Sequence, residues 1–411
     1  MSADVVVRDV AQIPDGWRIA RVGDVANVVG GSTPSRTRPE FWGGDIPWVV
    51  PSELTELSGR YLQDSRESIT MDGLESAGLR VLPAGSVLLT TRATIGLAAI
   101  NTLPMATNQG FQSLVGKNGT DSLWLYYCIS SQRSELERRG AGSTFREVSR
   151  DGVRTLPILL PPLSEQRAIA GVLDSIDEAI ERADEVITAT ERLSDALLHE
   201  LLTRGLPGQH SEWKEVPGVG TIPVSWQVAR LGEVLKLEYG VSLPERCRQP
   251  GSTPVVGSAG IVGFHDHAYL SGPGVVVGRK GSIGTVTWVP EDFTPIDTTY
   301  FVLPLQGRAN LRWAYYLLDQ VDLASLNRAT GVPGLNRDDV YALRRPIPPL
   351  TEQQTIAGAL DSVRVAVEQA RDERETLQEL QTSVADALLT GRVRVDQQEQ
   401  KGMDQLGTDE V

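Results

Sequence analysis

Apolar residues recur at alternating spacings of three and four in two long stretches of this chain, as they do along one face of a helix. Each stretch follows a Pro-Pro pair and contains no proline of its own. The pattern predicts two spacer helices, at residues 164–204 and 351–392, each about 60 Å long at a rise of ~1.5 Å per residue. The apolar seam consists of Ile169, Leu173, Ile176, Ile180, Ile187, Leu197, Leu201, Ile356, Leu360, Val363, Val367, Leu377, Val384 and Leu388.

An internal repeat sets the organisation of the chain. The run Pro-Pro-Leu-Ser-Glu-Gln at 161–166 recurs as Pro-Pro-Leu-Thr-Glu-Gln at 348–353, and IPDGW at 13–17 recurs as IPVSW at 222–226. The repeat predicts two tandem units, each a globular domain followed by a spacer helix. The predicted parts are a first domain at 1–163, the first spacer helix, a second domain at 205–350 that opens with a linker at 205–221, the second spacer helix, and a polar, disordered tail at 393–411.

The two domains carry short β-rich runs bounded by glycine and proline, with one helical stretch at 122–138. Ser164 is predicted to cap the first spacer helix, and Leu193 indicates a shift of register where polar residues interrupt the seam. Two helices of equal length with one seam each most simply bury these seams against each other. The predicted fold class is α+β: two mixed α/β domains joined by two long, antiparallel, coiled-coil-like helices, with an approximate two-fold axis within the chain.

The net charge of −14 at first argues against a nucleic-acid partner. However, the acidic excess lies on the spacer helices and the tail, whereas the two domains are near neutral. A locally basic face on either domain is compatible with this balance, because charges act over a Debye length of ~8 Å. No signal peptide or membrane-length apolar run is indicated, and Cys128 and Cys247 are too few for a disulfide framework. We expect a soluble, cytoplasmic protein without a membrane partner.

A doubled chain suits a ligand that repeats along an axis, and dimeric readers of duplex DNA meet half-sites about 34 Å apart. Because the two domains differ in sequence, the two half-sites should differ. The chain resembles the specificity subunits of type I restriction–modification enzymes. The resemblance is carried by the two Pro-Pro-Leu-[Ser/Thr]-Glu-Gln runs, by Ile-Ala-Gly-x-Leu-Asp-Ser at 169–175 and 356–362, by the IP-x-x-W openings, and by GSTPS at 31–35, WGGDIPW at 42–48 and TNQGF at 107–111.

The resemblance implies a bacterial or archaeal subunit that reads double-stranded DNA and has no catalysis of its own. Each domain would be a target recognition domain for one half of an asymmetric bipartite site. The spacer helices would set the gap and dock two methyltransferase subunits, which bind S-adenosylmethionine and methylate adenine. Restriction subunits, where the system has them, would add cleavage dependent on ATP and Mg²⁺. The second domain departs from the pattern, with LEYGVS at 237–242 and DTTYF at 297–301, as expected of domains that read different bases.

The sequence contains none of the motifs that would make the chain an enzyme. It lacks a G-x-x-x-x-G-K-[ST] phosphate loop, a His-Glu-x-x-His pair and the Asn/Asp-Pro-Pro-aromatic run of amino-methyltransferases. His265-Asp266-His267 could contribute metal ligands, but a loop with polar side chains is the favoured interpretation. The glycine-rich run at 257–260 is interpreted as a tight turn. We expect no catalytic residue, no metal and no cofactor in this chain.

Candidate DNA contacts fall in turns whose residue types suit phosphates and base edges. The turn at 32–38 coincides with the family's first-domain motif, and its alternative is an ordinary solvated turn. Arg92 and its counterparts at 279–280 follow a strand in each domain, where they suit DNA or are simply surface cations. Asn108 and Gln109 either contact adenine or satisfy backbone groups. The candidates are Ser32, Thr33, Ser35, Arg36, Thr37, Arg38, Arg92, Asn108, Gln109, Ser143, Thr144, Arg146, Arg150, Arg279, Lys280, Asn336 and Arg337.

Other interpretations remain open for several of these features. The candidates at 143–150 and at 336–337 either contact DNA or only close loops before the last strand of each domain. Trp48, Trp124 and Trp313 are predicted to lie in the core. The charged faces of the spacer helices are either solvated or docking surfaces. A pseudo-symmetric protein-assembly scaffold without DNA reading, or an orphan DNA-binding module, would have the same repeat, and binding to pools of random duplexes would separate these functions.

Overall fold

The chain forms two compact units in the computed structural model, which describes residues 13–140, 146–327 and 334–395. The first unit consists of Met1–Asp184 and Asp372–Val411, and the second consists of Glu185–Arg371. Both borders fall inside the spacer helices, so each unit contains one domain and part of each helix. Helices and sheets are mixed in both units, which confirms the α+β class. The predicted two-fold axis and domain bounds stay predictions.

The first domain alternates short strands with short helices. Its strands are β1 (Arg18–Arg21), β2 (Ala26–Gly30), β3 (Trp42–Val49), β4 (Tyr61–Leu62), β5 (Ser68–Ile69), β6 (Val87–Leu89), β7 (Ala98–Asn101), β8 (Ala106–Thr107), β9 (Gln112–Gly116) and β10 (Pro157–Leu160). Its helices are α1 (Val22–Val25), α2 (Pro51–Glu56), α3 (Met71–Ser76), α4 (Ser122–Ser130), α5 (Arg133–Gly140) and α6 (Arg150–Arg154), and the first spacer helix is α7 (Leu163–Arg204).

The helical stretch predicted at 122–138 is two helices, α4 and α5. The chain turns between them at Gln132. The side-chain amide of Gln132 donates to the Pro157 carbonyl at 3.1 Å. A pattern of helical spacing does not reveal this break, because the partner of Gln132 lies 25 positions away.

Three sheets organise the first domain. The strand orders are β2-β9-β6-β7-β4, β5-β3-β8 and β1-β10. The β3–β8 pair is parallel and places Trp48 opposite Ala106. Trp48 and Trp124 are buried as predicted. The largest apolar cluster of the domain continues onto α7 through Ile169 and Leu173, so the domain and its helix share one core.

The second domain is richer in strands. These are β11 (Trp213–Val216), β12 (Gly220–Pro223), β13 (Gln227–Arg230), β14 (Leu235–Tyr239), β15 (Thr253–Gly257), β16 (Gly260–His265), β17 (Gly274–Gly278), β18 (Val286–Val289), β19 (Thr294–Pro295), β20 (Thr299–Pro304) and β21 (Arg344–Ile347). Its helices are α8 (Leu311–Gln320) and α9 (Arg337–Ala342), and the second spacer helix is α10 (Leu350–Leu389). The β11–β12 hairpin lies partly in the segment predicted as a linker.

The two domains share a sheet topology that their sequences do not reveal. The order β14-β20-β17-β18 matches β2-β9-β6-β7, and β16-β15-β19 matches β5-β3-β8, including the parallel pair. The antiparallel pair β13–β21 matches β1–β10. Trp313 on α8 is buried as Trp124 is on α4. The duplication therefore includes the parts of each domain between the repeated sequence motifs, where the two sequences differ.

Within the first unit, α7 and α10 pack antiparallel. Leu173, near the start of α7, shares a core cluster with Leu388, near the end of α10, while Asp184 further along α7 binds Arg374 further back on α10 at 2.7 Å. Within the second unit, Leu201 shares a cluster with Ile356. Every predicted seam residue is buried or half-buried. None of the described helices is long and apolar enough to span a bilayer.

Three details of the helix prediction were wrong. The helix α7 begins at Leu163, so Ser164 lies inside its first turn, and the amide of Gln166 donates to the Pro162 carbonyl instead of to a serine cap. Leu193 is exposed and does not shift the seam. The helix α10 ends at Leu389, because Gly391 adopts a φ of 72°, the left-handed conformation that ends helices.

The repeated Glu-Gln pair attaches each helix to its domain. Glu165 accepts from Trp17 Nε1 at 2.9 Å, and Arg394 binds both oxygens of the same carboxylate at 2.8 Å. The carboxylate of Glu352 accepts from Trp226 Nε1 at 2.9 Å and lies 2.6 Å from His210 Nε2. Arg394 belongs to the segment predicted as a disordered tail. Its bond to a buried carboxylate corrects that prediction at residues 393–395, and the rest of the tail lies outside the described residues.

The glutamine of each pair reinforces the same joint. Gln166 accepts from the Asp121 amide at 2.9 Å and donates to the Gly119 and Pro161 carbonyls. Gln353 repeats these contacts with the Asn310 amide and with two carbonyls of its own unit. The sequence motif thus encodes a rigid connection between a domain and its spacer helix, in both copies.

Candidate nucleic-acid interface

The turn that follows β2 is held against β3 by two tryptophans. Trp48 Nε1 donates to the Ser32 carbonyl at 3.0 Å, and Trp42 Nε1 donates to the Ser35 carbonyl at 3.2 Å. Ser32 is half-buried, and the exposed candidates of this turn are Thr33, Ser35, Arg36, Thr37 and Arg38. The turn therefore has a fixed backbone and an exposed polar surface.

Gly31 allows this turn to lie against the loop before β9. A Cβ at Gly31 would lie 1.9 Å from the Asn108 carbonyl oxygen and 2.4 Å from that of Thr107. The next residue, Ser32, donates its amide to the Thr107 carbonyl at 3.0 Å. Only a glycine permits this approach, so the turn at 32–38 and the loop at 107–110 form one surface.

Replacing Gly31 with alanine is expected to lower the free energy of unfolding by about 1 to 3 kcal/mol, because the new methyl group overlaps two carbonyl oxygens of the neighbouring backbone. Gly171 on α7 is the matched control, since a Cβ there meets nothing within 4 Å and the Gly171→Ala exchange is expected to stabilise by about 0.5 to 1 kcal/mol. Urea denaturation of both variants measures the difference. Equal stability of the two would contradict the close approach.

Arg36 and Arg38 are already paired in the protein. Arg36 makes a two-pronged ion pair with Glu67, with one bond at 2.8 Å, and its guanidinium lies 3.7 Å from the centre of the Trp42 ring. The hydrogen bond from Arg36 lowers the pKa of the Glu67 carboxyl. Arg38 binds Glu40 at 2.6 Å. A phosphate or base that used these arginines would have to replace a carboxylate.

In the loop at 107–110, Asn108 and Gln109 differ in what their side chains bind. The Asn108 side-chain oxygen accepts from the Gly110 amide at 2.8 Å, which is the backbone-satisfying role. The exposed Gln109 binds the Thr33 hydroxyl across the two turns. Asn108 thus shapes the surface, and Gln109 belongs to it.

Arg92 lies where three loops of the first domain meet. Its neighbour Thr91 donates its amide to the Gly110 carbonyl at 2.7 Å and accepts from the Val148 amide at 3.0 Å. The side chain of Arg92 pairs with Glu147 at 3.0 Å. Backbone bonds therefore bring the loops at 91–92, 107–110 and 147–150 together at the first-domain candidate surface.

The remaining candidates of the first domain are exposed or lie outside the described residues. Arg146 and Arg150 are exposed, and the hydroxyl of Ser149 caps α6 by accepting from the Gly152 amide at 3.0 Å. Ser143 and Thr144 lie outside the described residues.

The second domain repeats the junction with the same backbone bonds. The Arg279 amide donates to the Thr298 carbonyl at 2.9 Å, as Thr91 does to Gly110, and the Leu335 amide donates to the Arg279 carbonyl at 2.9 Å, as Val148 does to Thr91. These bonds align Lys280 with Arg92 and Arg337 with Arg150. The sequence predicted the match of Arg92 with Lys280, and it related the loop at 143–150 to residues 336–337 only as a group.

Two arginines of the second domain converge on one exposed tyrosine. The guanidinium of Arg279 lies 4.9 Å from the centre of the Tyr239 ring, and that of Arg337 lies 5.2 Å from it. Over the described parts of the chain, neither arginine nor the exposed Lys280 pairs with a carboxylate. The side-chain oxygen of Asn336 caps α9 by accepting from the Asp338 amide at 3.0 Å. We call Tyr239, Arg279, Lys280 and Arg337 the second-domain cationic surface.

A repeat of two arginines escaped the sequence analysis. Arg246-Cys247-Arg248 lies in the segment between β14 and β15, where the first domain has Arg36-Thr37-Arg38 between β2 and β3. The signal was the Arg-x-Arg spacing, shared at equivalent places of two otherwise different loops. Arg246 is exposed, and Arg248 donates from Nη1 to the Val262 carbonyl at 2.9 Å. Both belong among the candidates.

His265, Asp266 and His267 form the one described group whose donor atoms are close enough for a metal, within 4.8 Å of one another. His265 Nδ1 accepts from the Gln249 amide at 3.0 Å, and His267 Nδ1 lies 2.7 Å from Asp266 Oδ1. These bonds already involve three of the donor atoms, one from each residue. The expectation that this chain holds no metal stays a prediction.

Comparison with known protein families gives one match that covers both units. The family model described as the type I restriction modification DNA specificity domain matches residues 14–188 and 223–378. The chain is 35% identical over 241 residues to the type I restriction enzyme MjaIX specificity subunit of Methanocaldococcus jannaschii, a match that covers 58% of this chain and 56% of that one. It is 28% identical over 350 residues to the EcoprrI specificity subunit of Escherichia coli, covering 82% and 85% of the two chains.

Solved structures share the fold. The S subunit of a type I restriction-modification system from M. genitalium superposes with a TM-score of 0.61 at 15% identity, covering 92% of this chain and 98% of that one. A chain from a study of complex assembly and conformational transition of the type I R-M system superposes with a TM-score of 0.59 at 18% identity, covering 93% and 100%. At these identities the likeness concerns the fold alone.

Proposed function

The chain belongs to the type I restriction modification DNA specificity family, and we propose from this premise that it is the DNA sequence-recognition subunit of a type I restriction–modification complex. Each domain reads one half of an asymmetric bipartite site on double-stranded DNA. The half-sites differ because the candidate surfaces of the two domains carry different side chains at matched backbone positions.

One observation carries the proposal for DNA. Both domains present basic side chains at the same two places of the same loop junction, Arg92 and Arg150 in the first and Lys280 and Arg337 in the second. Backbone bonds fix these places, while the residues around them vary. Such a constant basic frame with variable surroundings suits a ligand with a constant phosphate backbone and a variable base sequence.

In this proposal the spacer helices set the length of unread DNA between the two half-sites, and they bind the partner subunits. With 42 and 40 residues they are about 60 Å long, and they carry most of the acidic excess of the chain. Two methyltransferase subunits dock on them and bring S-adenosylmethionine, and restriction subunits, where the system has them, bring the ATP- and Mg²⁺-dependent cleavage. The chain itself contributes binding and distance, and no catalytic step.

The scaffold alternative, in which the domains bind proteins and not DNA, predicts a different surface. Protein interfaces deplete lysine and acidic residues and enrich aromatic residues, methionine and arginine. The loop junctions have cations at the same two places in both domains, one of them a lysine. Cations kept at matched places favour a polyanionic partner such as DNA over a protein partner at these loops.

Mapping of methylated adenines in cells that carry the chain with its methyltransferase subunit tests the proposal. We expect one bipartite motif with two different halves, a fixed unread gap and one modified adenine on each strand. A cell with the methyltransferase subunit alone is the control and should lack that motif. Methylation that is independent of this chain, or that has no bipartite pattern, would refute the proposal.

A further inference from the structure

The second domain has an apolar hairpin where the first domain has only a short strand. The hairpin consists of β15, the two-residue turn Ser258-Ala259 and β16. Three side chains of β16 are largely exposed: Ile261 at 55%, Val262 at 43% and Phe264 at 54% of their surface. In the first domain the strand at this place, β5, has only two residues, Ser68 and Ile69, of which Ile69 is buried.

The hairpin exposes these side chains on the edge of a sheet. In the order β16-β15-β19, β16 has a strand on one side only. Proteins usually protect such an edge with charges or prolines, because unpaired backbone and apolar side chains together invite association. An edge strand that instead exposes isoleucine, valine and phenylalanine side by side is typical of a binding surface.

The tip of the hairpin adjoins the second-domain cationic surface. A Cβ at Gly278 would lie 2.8 Å from the Ser258 carbonyl oxygen, and one at Gly281 would lie 3.4 Å from the Ser258 hydroxyl. These two glycines flank Arg279 and Lys280 in the sequence. The apolar strand therefore begins where the basic loop ends, and the two form one continuous surface.

The Arg-x-Arg segment borders the hairpin on its other side. Arg248 donates to the carbonyl of Val262, and a Cβ at Gly263 would lie 2.8 Å from the guanidinium of Arg248. Arg246, two residues earlier, is exposed and pairs with no carboxylate among the described residues. The exposed apolar strand is thus framed by Arg246 and Arg248 on one side and by Arg279 and Lys280 on the other.

We propose that this hairpin is a DNA-reading element of the second domain, with Ile261, Val262 and Phe264 against base edges and Arg246 and Lys280 on the flanking phosphates. The inference rests on the proposed function and extends it. Apolar side chains in a groove contact thymine methyl groups or wedge between base steps, and cations beside them neutralise the backbone. The cations on both sides of the strand identify the ligand as nucleic acid. An apolar protein partner would leave the charges of Arg246, Arg248, Arg279 and Lys280 unneutralised.

The two kinds of side chain give two different expected results. In the complex with methyltransferase subunits, the double variant Ile261→Ser and Phe264→Ser should lose about 10- to 100-fold in affinity for the cognate duplex, as the loss of one base-pair contact does. Its discrimination among bases should relax in the second half-site only. The dependence of log Kd on log salt should keep its slope, since no charge is removed.

The variant Arg246→Ala should weaken binding to all duplexes about equally and reduce the salt slope by about 1. Matched controls come from the same unit. Val224→Ser removes another exposed apolar side chain, and Arg308→Ala removes another exposed arginine, and both should bind as the parent does. Fluorescence anisotropy with duplexes varied at one half-site, over 50 to 300 mM salt as a rough range, measures all four variants.

The inference would be overturned if the parent complex bound the cognate duplex and the Ile261/Phe264 double variant bound it with the same affinity and discrimination. So would a double variant that binds DNA normally but no longer retains methyltransferase subunits on gel filtration, because the hairpin would then be a protein contact. A parent complex that discriminates no DNA sequence at all would refute the proposed function itself, and the hairpin inference with it. The substituted side chains are exposed, so circular dichroism should show an unchanged fold.

Discussion

Replacement of Glu352 with alanine is expected to lower the free energy of unfolding of the second unit by about 2 to 4 kcal/mol, because a buried partner of two polar groups is lost. Trp226 is buried, and its Nε1 would lose the acceptor that now lies at 2.9 Å. His210 Nε2 would lose its partner at 2.6 Å. The start of α10 would then be held to its domain by Gln353 and by apolar packing alone.

Denaturation in guanidinium chloride, followed by tryptophan fluorescence, measures this effect. Glu368→Ala is the matched control on the same helix, since Glu368 is exposed and its i,i+4 pair with Arg364 contributes only about 0.3 to 0.5 kcal/mol. Glu352→Gln should fall between the two, because an amide oxygen still accepts from Trp226. A Glu352→Ala variant as stable as the Glu368→Ala control would show that the joint is held by packing only.

Insertion of four residues after Ile187 is expected to abolish methylation at the original site. One added turn lengthens α7 by about 6 Å, close to the rise of two base pairs at ~3.4 Å each, and keeps the seam roughly in phase. If the helices set the gap, the methylated motif should have a gap about two base pairs longer, or methylation should cease. Sequencing of methylated adenines in cells measures the gap directly.

The matched control places the same four residues after Gly218, in the turn between β11 and β12, where a Cβ would meet nothing within 4 Å. That insertion lengthens the chain but leaves both spacer helices intact, so the gap should not change. A helical insertion variant that folds, assembles and still methylates the original motif would refute the role of the helices as spacers.

The spacer helices could be predicted well because their information is local. An apolar residue every three to four positions fixes a helix and its buried face, and Leu173, Leu201 and Leu360 are buried accordingly. The predicted helix starts were one residue late. Which residue precedes the first helical turn, Pro162 or Ser164, depends on backbone geometry that the apolar spacing does not show. The predicted end of the second spacer helix was three residues too late, although Gly391 indicates a helix end near Leu389.

The interior of the domains could not be predicted in the same way. Strands of two residues, such as β4, β5, β8 and β19, are too short to show an alternation, and their partners come from distant parts of the chain. In the sequence, Glu165 is only one residue of the repeated run at 161–166. Its partners Trp17 and Arg394 lie 148 and 229 positions away, so its role as a buried anchor became visible only in the fold.

The candidate surface was predicted in part. Arg92, Lys280, Arg150 and Arg337 occupy matched positions, as the repeat indicated. The sequence could not show that carboxylates already hold Arg36 and Arg92, because their partners Glu67 and Glu147 lie 31 and 55 positions away. It also missed Arg246 and Arg248, since the comparison of the two copies relied on identical motifs and the loop before β15 has none.

The first unit is assembled from both ends of the chain. Leu388 completes the apolar cluster that contains Trp17, and Arg394 closes on Glu165, whereas the second unit is the continuous stretch Glu185–Arg371. During synthesis, the second unit can therefore close as soon as that stretch has left the ribosome, while the first must wait for the last turn of α10. We therefore expect a stop codon before the last turn of α10 to expose part of the core of the N-terminal domain, because Leu388 and Arg394 would be lost.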